Sequence, residues 1–592
     1  MKKTIVIAMA ATMLMAVGCK GKKAVESDPE IQQKVNEYAE FELKSDLIQS
    51  LSANEKELVK IFIEIGQVMD DIYWDEYFGY ANRASLDTLK DPAMRAFANI
   101  QYGAWDRLDS ERPFLPGYGE RPAGCNFYPV DMTKEEFDAL EDPLKNDQYS
   151  VIRRDENGKL YVLPYHEAYK EELAKVDALL EKAIALAENT GLKKYLEARR
   201  EAFRTDDYFE SDMVWMDMKD SKLDFVVGPI ENYDDGINGL KCSHEAFVLV
   251  KDEEWSNDLS KFAALLPEMQ KLLPCDPKYK KEVPGTDCDI NVYDVVYYAG
   301  DCNAGSKTIA INLPNDERVQ LAKGSRRLQL KNAMKAKFDN IMVPIANLMV
   351  CPEQVDSVTF NAFFGNTCYH EVAHGLGIKN TVTGRGPCRQ ALGAQYSAWE
   401  EAKADVCGLF LTEQLIERGE ITNTTVAQNY ITFIAGILRS VRFGATEAHG
   451  VANIMCYNYF LEHGAFSRNA DGKYVIDVEK AREAARGWAA IIIAMSSSIA
   501  SNDAVSDCRI TANVNATTVG GGMCSIAGND AVCDCRTAVN VNAAAVVAII
   551  VAISALYREA VNRRGGPYSE NSTWIIAICI SVKYCPCFKI AI

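Results

Sequence analysis

The sequence predicts an α+β protein that is mainly helical, and three observations predict this fold class. Residues 31–110 and about 167–204 repeat apolar side chains at helical spacing. Four strand-like runs follow, rich in Val, Ile, Tyr and Phe, at residues 224–230, 246–250, 289–298 and 307–313. Helical patterns return from about 317 to 486. This order is typical of a mixed α+β part beside a mainly helical part.

Composition and charge restrict the class of protein. The chain has 592 residues, of which 48% are hydrophobic and 25% charged, so it is neither collagen-like nor wholly disordered. Its 64 Lys and Arg residues against 83 Asp and Glu residues give a formal net charge of −19. Because binding to phosphates requires a basic face, this balance argues against nucleic acid as a partner.

The first 19 residues are typical of an export signal. A basic start precedes an apolar run over residues 4–17 that is too short to span a membrane. The small residues before Cys19 resemble a bacterial lipobox, in which signal cleavage leaves a lipidated cysteine. An ordinary secretory signal with an incidental cysteine is the alternative. We predict a lipoprotein signal peptide over residues 1–19, a tether over 20–30, and a lipid anchor at Cys19 in the bacterial cell envelope, on the periplasmic face of the outer membrane.

Residues 487–592 differ in composition from the rest of the chain. They contain few charged residues, a single leucine (Leu556), no glutamine or histidine, and seven of the 18 cysteines. This composition is unusual for a packed domain, and a reading-frame shift near Gly487 would explain it. A divergent tail and a metal-binding module are the alternatives, although the C-x-C pairs here lack zinc-finger spacing. We treat residues 487–592 as an anomalous tail.

The cysteines before this tail leave the redox state open. An envelope location permits disulfides, and Cys275, Cys288 and Cys302 are close enough in sequence to pair. Scattered buried thiols explain the same residues equally well. The sequence therefore predicts no connectivity.

The motif that carries chemistry is HExxH at residues 370–374. His370 and His374, two of only six histidines, stand at i and i+4, so a helix places both imidazoles on one face, where they can bind one zinc ion. Glu371 adjoins His370 and lies beside the metal, where a general base for a zinc-bound water is needed. Two surface histidines on a helix are the structural alternative, so the motif needs support from another part of the chain.

A second helical segment supplies that support. Glu401 follows His374 by 27 residues (401 − 374 = 27), and Glu401 and Asp405 share a helix face. A carboxylate from this helix completes a three-ligand zinc site and leaves the fourth position for water. A further carboxylate, from Glu400 or Asp405, can orient a ligating imidazole. Simple solvation of a Glu pair is the alternative, and the neighbouring HExxH motif disfavours it.

Together these motifs resemble the zinc exopeptidases of the dipeptidyl peptidase III family. That family pairs a His-Glu motif with an EExxA motif followed by Glu or Asp, and the matching residues here are Glu400, Glu401, Ala404 and Asp405. Its better-known members carry HExxxH, whereas this chain has the five-residue form that occurs in a branch of the family. The difference is physically mild, because i, i+4 is the natural helical spacing and the longer form needs a bulge.

Two further matches extend the resemblance. Residues 311–315 resemble the family's IN-x-PN segment, which implies that Asn312 and Asn315 bind the N-terminal end of a peptide. Amide carbonyls are suitable acceptors for a free ammonium group, although a strand that turns at Pro-Asn explains the segment by itself. His449, which precedes an apolar helix, resembles the family's additional active-site histidine, and this implies a hydrogen bond to the developing oxyanion.

A tyrosine donor is the weakest part of the resemblance. Tyr298 is similar to the family's active-site tyrosine, and Tyr297 competes with it for that role. His166 and His463 have no counterpart among the motifs and are expected to be structural.

The resemblance covers roughly residues 200–480 and implies two lobes around a wide cleft, whose closure excludes water. A mixed lobe with a small β-barrel is expected over residues 31–300, and a mainly helical catalytic lobe over residues 301–486. The family uses its C-terminal segment to complete one lobe and to contact substrate, and no counterpart of that segment is found after Gly487.

The resemblance implies a zinc-dependent exopeptidase that releases dipeptides from the N-terminus of peptide substrates. One zinc ion per chain would be held by His370, His374 and Glu401. Three alternatives stay open. They are another zinc metallopeptidase that cleaves internally, a non-catalytic envelope lipoprotein that binds peptides or zinc, and a structural lipoprotein without metal.

Overall fold

The structure is a computed structural model that describes residues 27–38, 42–284, 289–441, 444 and 448–498. Over these residues the protein is mainly helical with a mixed sheet, which confirms the predicted α+β class. The predicted signal peptide, the lipidation site Cys19 and the tail from residue 499 onward lie outside the described residues. Among the described helices, none combines the length and the apolar character that a membrane span needs.

The chain divides into two compact units. The first contains Met1–Ser260 and Asp289–Asn340, and the second contains Lys261–Cys288 and Ile341–Ile592. The sequence predicts a single boundary at residue 300, which differs from this division. Two strands beyond residue 300 belong to the first unit because they pair into its sheet, and a segment after residue 260 belongs to the second.

The first unit contains most of the strands. Its α-helices span Pro29–Asn36, Ala53–Tyr77, Tyr80–Leu86, Pro92–Gln101, Lys134–Ala139, Tyr165–Ala168, Lys170–Leu186, Thr190–Thr205, Phe209–Asp217, Glu317–Lys323 and Lys331–Lys337, and Glu253–Ala264 continues into the second unit. Short pairs of strands form at Trp105–Asp106 with Arg112–Pro113 and at Ser150–Arg154 with Leu160–Pro164.

Five further strands form one mixed sheet in the first unit. In spatial order they are Leu223–Glu231, Ser243–Asp252, Ile290–Gly300, Arg326–Leu330 and Ala310–Leu313. All neighbours are antiparallel except the third and fourth, which are parallel. The first and last strands of this order are edges, and a closed barrel is not found among the described strands.

The helix Ala53–Tyr77 covers this sheet. It begins with a capping box in which the Ser52 side chain accepts from the Glu55 backbone and Glu55 accepts from Ser52. Its buried face repeats apolar residues at helical spacing: Leu58, Phe62, Ile65, Met69 and Ile72. The Phe62 ring stacks on Phe225 of the sheet at a centroid distance of 4.2 Å, so this face and the sheet share one core.

The second unit is built mainly from helices. They span Leu266–Leu272, Val343–Met349, Pro352–Val355, Phe360–Ala373, Cys388–Leu392, Tyr396–Glu417, Val426–Ser440, Ala448–Glu462 and Val478–Ser498. One hairpin pairs Phe466–Arg468 with Tyr474–Ile476. Helix Tyr396–Glu417 contacts four of the other long helices, and most of its residues are buried, so it lies at the centre of this unit.

The segment after residue 260 packs against the helix Phe360–Ala373. The rings of Phe262 and Tyr369 meet edge to face at 5.3 Å. The buried Gln270 amide accepts from the Gly377 N–H at 2.9 Å and donates to the Gly377 carbonyl at 3.0 Å. These contacts explain why the segment belongs to the second unit and how it holds the chain that follows the HExxH motif.

The last described helix, Val478–Ser498, runs through the change in composition at Gly487. Trp488 is fully buried in the second unit, as are Ile492 and Ile493. A Cβ at Gly487 would lie 2.6 Å from the Tyr459 hydroxyl, so glycine permits this close approach. Packed structure therefore continues through residues 487–498, which the sequence places in the anomalous tail.

Candidate metal centre and active site

The HExxH motif ends a helix, Phe360–Ala373, which we call the histidine helix. The Thr359 side chain caps its start by accepting from the Ala362 N–H at 3.4 Å. The chain leaves the helix after His374, where Gly377 adopts a φ of 79° that favours glycine. His370 and His374 lie one turn apart with perpendicular rings at a centroid distance of 4.8 Å, so both imidazoles face the same side.

The EExxAD motif lies on helix Tyr396–Glu417, which we call the carboxylate helix. Gly408 stands three residues after Asp405 and contacts the backbone of the histidine helix. A Cβ at this position would lie 2.9 Å from the backbone nitrogen of His370 and 3.0 Å from the carbonyl carbon of Tyr369. Because any other residue would push the two helices apart, Gly408 sets the distance at which the carboxylates meet the imidazoles.

Three imidazoles converge on one oxygen of Glu401. Its Oε2 atom lies 3.1 Å from His370 Nε2 and 3.8 Å from His374 Nε2. The same oxygen lies 3.3 Å from His449 Nδ1, at the start of helix Ala448–Glu462. The histidine ring at position 449 is 59% exposed, whereas the other two are largely buried. The structure thus brings together the predicted ligands and the predicted additional histidine.

Two other carboxylates orient the imidazoles. Asp405 Oδ1 lies 2.7 Å from His370 Nδ1, and Glu400 Oε1 lies 3.2 Å from His374 Nδ1. An ionised carboxylate only accepts hydrogen bonds, so each Nδ1 is assigned a proton that it donates to its carboxylate. Both Nε2 atoms then point to the same side as Glu401, where they would bind a metal in the neutral form of each ring.

The charges in this cluster shift the ionisation of its members. Burial lowers the pKa of His370, but the charge and hydrogen bond of Asp405 outweigh burial and raise that pKa to about 10. Burial raises the pKa of Glu401, but the hydrogen bond from His370 and the charge of His449 lower it by more. In the same way His374 and Lys403 hold the pKa of Glu400 well below its usual range. Glu400 and Glu401 are therefore ionised near neutral pH.

The donor set fits a zinc ion. His370, Glu371 and His374 offer ligand atoms within 4.8 Å of one another, and so do His370, Glu401 and His449. Two imidazole nitrogens and one carboxylate oxygen, as His370, His374 and Glu401 offer them, are a donor set that suits a catalytic zinc with an open position. Glu371 stands beside both histidines, as the predicted general base requires.

The predicted peptide-binding residues lie in the first unit. Asn312 is exposed on the edge strand Ala310–Leu313. Asn315 follows the cis Leu313–Pro314 bond, and its amide donates to the Ile230 carbonyl at 3.1 Å and to Glu231 Oε2 at 3.3 Å. Asn315 is therefore grouped with a carboxylate, which is the counter-charge that an ammonium group needs.

Tyr298 is placed differently from the other predicted residues. Its side chain is buried, and its hydroxyl donates to the Thr308 carbonyl at 2.6 Å. Tyr297 packs on Gly66 of the helix that covers the sheet. By contrast Tyr233, two residues after Glu231, is 80% exposed, and the Glu231 charge raises its pKa. Tyr233 is the exposed one of these three tyrosines, and it lines the same cavity as Asn315.

The remaining predictions concern residues outside the cluster. His166 pairs with Asp206 at 2.7 Å, and His463 Nδ1 lies 2.8 Å from the Tyr459 carbonyl, so both make contacts of a structural kind. Cys275 and Cys302 are free thiols, and Cys288 lies outside the described residues.

Sequence reasoning missed two residues of the metal centre. Gly408 lies on the same helix face as Glu401, seven residues later, and the spacing was the available signal. Lys403 occupies a variable position of EExxAD, yet its side chain is 4% exposed and its ammonium lies 2.7 Å from Glu400. No pattern in the sequence distinguishes it from a solvated helix lysine.

Comparisons with known proteins identify the family to which the chain belongs. The family model of peptidase family M49 matches residues 144–387, which include the HExxH motif. A structure of dipeptidyl peptidase III from Caldithrix abyssi is 38% identical, with a TM-score of 0.73, over 79% of this chain and 91% of that one. Dipeptidyl-peptidase III from Corallococcus sp. strain EGB is 33% identical, with a TM-score of 0.62, over 79% and 89%.

A curated plant protein also matches. Nudix hydrolase 3 from Arabidopsis thaliana is 34% identical over 516 residues, which are 76% of this chain and 66% of that protein. The chain thus spans about two thirds of the plant protein's length. From the two solved structures and the family model, the chain belongs to the dipeptidyl peptidase III family, peptidase family M49. The resemblance found in the motifs is therefore confirmed.

Proposed function

We propose that this protein is a zinc-dependent exopeptidase that releases dipeptides from the N-terminus of peptides. The observation that carries the proposal is the convergence of His370, His374 and Glu401 beside Glu371 in a member of this peptidase family. A zinc ion held by these three residues would supply Lewis-acid polarisation of the scissile carbonyl and lower the pKa of a water molecule.

The chain's own residues supply the proton transfers and the charge stabilisation. Glu371 accepts a proton from the attacking water and returns it to the leaving amine. His449, which is more than half exposed and lies 3.3 Å from Glu401, reaches toward the same point and donates to the developing oxyanion. Tyr298 is the predicted second donor, and its bond to Thr308 would have to break first.

The release of dipeptides requires that the peptide N-terminus be held at a fixed place. Asn312 and Asn315 offer amide carbonyls to the ammonium group, and the Glu231 carboxylate beside Asn315 adds the opposite charge. An interaction of this kind with a charged group contributes roughly 1.5–3 kcal/mol, enough to select free over blocked N-termini.

A panel of dipeptidyl arylamides tests this function on purified residues 24–592. We expect release of dipeptides that a chelator abolishes, and a rate that falls by about 10²–10⁴-fold in Glu371→Gln with zinc content unchanged. His463→Gln serves as the matched control, because it alters a histidine of the same unit that bonds to a backbone carbonyl.

Other outcomes separate the alternatives. Internal cleavage of peptides with blocked N-termini would favour a different zinc metallopeptidase. One bound zinc per chain without hydrolysis would support a binding lipoprotein and overturn the enzymatic proposal.

We also propose that the protein is anchored in the cell envelope through lipid on Cys19. The support is the basic start, the short apolar run and the small residues before this cysteine. Incorporation of a labelled fatty acid and recovery in the membrane fraction are expected for the natural chain. Both should be lost in Cys19→Ser, and recovery of unlabelled protein in the periplasm would instead support an ordinary secretory signal.

A further inference from the structure

Lys403 is a buried lysine at the back of the metal centre. It stands three residues after Glu400 on the carboxylate helix, and its side chain is only 4% exposed, which is rare for lysine. Its Nζ atom lies 2.7 Å from Glu400 Oε1 and 2.9 Å from the Leu376 carbonyl oxygen. The carbonyl oxygen of His374 lies 3.5 Å away. The three protons of the ammonium group therefore have three acceptors.

These acceptors belong to two different parts of the site. Glu400 is the carboxylate that orients His374 through Nδ1. The carbonyls of His374 and Leu376 lie at the end of the histidine helix, where unpaired carbonyls carry partial negative charge. One ammonium group thus ties the orienting carboxylate to the backbone that carries the histidine it orients.

We propose that Lys403 is a positioning residue of the metal centre, which anchors Glu400 to the end of the histidine helix so that Glu400 holds His374 Nε2 toward the metal. The inference rests on the proposed metal-dependent function. Lys403 does not itself touch the metal ligands' coordinating atoms, so its effect on metal affinity passes through Glu400.

Lys379 provides an internal comparison, because it bonds to the same oxygen of Glu400. Its Nζ lies 3.2 Å from Glu400 Oε1 and 2.6 Å from the His374 carbonyl oxygen, so it makes a similar tie, but its side chain is 46% exposed. Solvent screens an exposed pair and the long side chain stays mobile, so such a pair contributes little. Burial of Lys403 removes that screening, and we expect the two lysines to differ in importance although both contact Glu400.

A purely structural role is the competing explanation for Lys403. Removal of one member of a buried ion pair leaves an unpaired charge and destabilises the fold, whatever the pair does for the metal. Arg482, on helix Val478–Ser498, offers a control, because it pairs at 2.9 Å with the buried Glu413 of the carboxylate helix, away from the metal ligands. If Lys403 had only a structural role, substitution of Lys403 or Arg482 would lower stability to a similar extent and would leave zinc affinity unchanged.

The test measures zinc dissociation constants of the full chain by competition with a coloured chelator, together with unfolding midpoints. We expect Lys403→Met to weaken zinc binding by about 10–100-fold, the usual effect of losing an outer-sphere partner. Lys403→Arg, which keeps the charge, and Lys379→Met should both stay within about threefold of the natural chain. Arg482→Met should lower the unfolding midpoint without changing zinc affinity.

A double variant guards against misfolding of Lys403→Met. Glu400→Gln with Lys403→Met leaves no unpaired buried charge, and its zinc affinity should equal that of Glu400→Gln alone, because Lys403 acts through Glu400. Additive losses, or unchanged zinc affinity in Lys403→Met, would overturn the proposal. The comparison holds even if the chain binds zinc without hydrolysing peptides, so failure of the enzymatic function and failure of this inference are distinct results.

Discussion

The two groups of proposed site residues differ in how their polar groups are satisfied. In the second unit every imidazole of the metal centre already has a carboxylate partner, and Asp405 and Glu400 hold the two ring orientations. In the first unit Asn312 and Asn315 are exposed. The fold thus preorganises the imidazoles of the metal centre, whereas the first unit exposes its two asparagines, of which Asn315 is held through its amide N–H by Ile230 and Glu231. Substitutions in the two units should therefore change different measured quantities.

The largest expected effect is on metal affinity and comes from Asp405→Asn. The amide no longer fixes the proton on His370 Nδ1, so the ring loses its preferred tautomer and orientation. We expect zinc affinity to fall by about 10–100-fold, measured by chelator competition. Asp206→Asn is the matched control, because Asp206 accepts from His166 Nδ1 at the same 2.7 Å in the first unit. Equal losses in both variants would contradict a specific role for Asp405.

Gly408→Ala tests whether helix approach sets the geometry of the cluster. The added methyl would lie 2.9 Å from a backbone nitrogen that cannot move alone, so the helices must separate. Such overpacking costs about 1–3 kcal/mol of stability, and we expect roughly a tenfold loss of zinc affinity with it. Gly436→Ala, in open space on helix Val426–Ser440, should be neutral or stabilising. A Gly408→Ala protein with natural zinc affinity would show that the spacing tolerates adjustment.

Asn315→Ala should leave the metal centre intact and weaken recognition of the N-terminus. We expect inhibition by a free dipeptide to weaken about tenfold, because a hydrogen bond to a charged group is lost. Inhibition by the N-acetylated dipeptide should stay the same, and so should zinc affinity. If inhibition by both dipeptides weakens equally, Asn315 maintains the shape of the site and does not bind the ammonium group.

The metal centre was the most predictable part of the molecule because helical spacing fixes which side chains share a face on each of its two helices. His370 and His374 share a face at i, i+4, and so do Glu401 and Asp405, whatever the rest of the fold does. Whether the two faces meet depends on how the two helices cross in the fold, and sequence periodicity carries no information about that crossing. Recognition of paired family motifs supplied that information for the ligands, but not for Gly408, whose role exists only at the crossing.

Boundaries were less predictable than motifs for a physical reason. A segment joins the unit in which its strand pairs, even when the partner strand is distant in sequence. The strand Arg326–Leu330 is an example, because it pairs in parallel with Ile290–Gly300 in the sheet. The end of packed structure likewise depends on contacts such as Trp488 in the second unit rather than on composition. Tyr298 shows the same dependence, since only the fold reveals that its hydroxyl faces the Thr308 carbonyl.

The smallest expected effect concerns the pH dependence of stability, and it distinguishes the acidic residues of the first unit from those of the metal centre. Burial raises the pKa of Asp301 in the first unit to about 7, and the charge of Asp234 adds to the shift. The folded state therefore binds a proton that the unfolded chain, with an ordinary pKa near 3.8, has already lost. Because the folded state then binds more protons, the free energy of unfolding falls as the pH rises from about 4 through about 7.

Asp301→Asn, which stays neutral at every pH, should remove this loss. We expect the fall in unfolding free energy between pH 4.5 and 7.5 to shrink by an amount on the order of 1 kcal/mol, measured by urea denaturation. Asp339→Asn, at an exposed position paired with Lys335, should leave that pH dependence nearly as it is. A slope unchanged by Asp301→Asn would mean that Tyr73, which donates to Asp234 and Asp301, and the neighbouring Arg107 hold the acid ionised in the folded state. The acidic residues of the first unit would then be ionised in the folded state, like those of the metal centre. The two units would differ only in the exposure of their site residues.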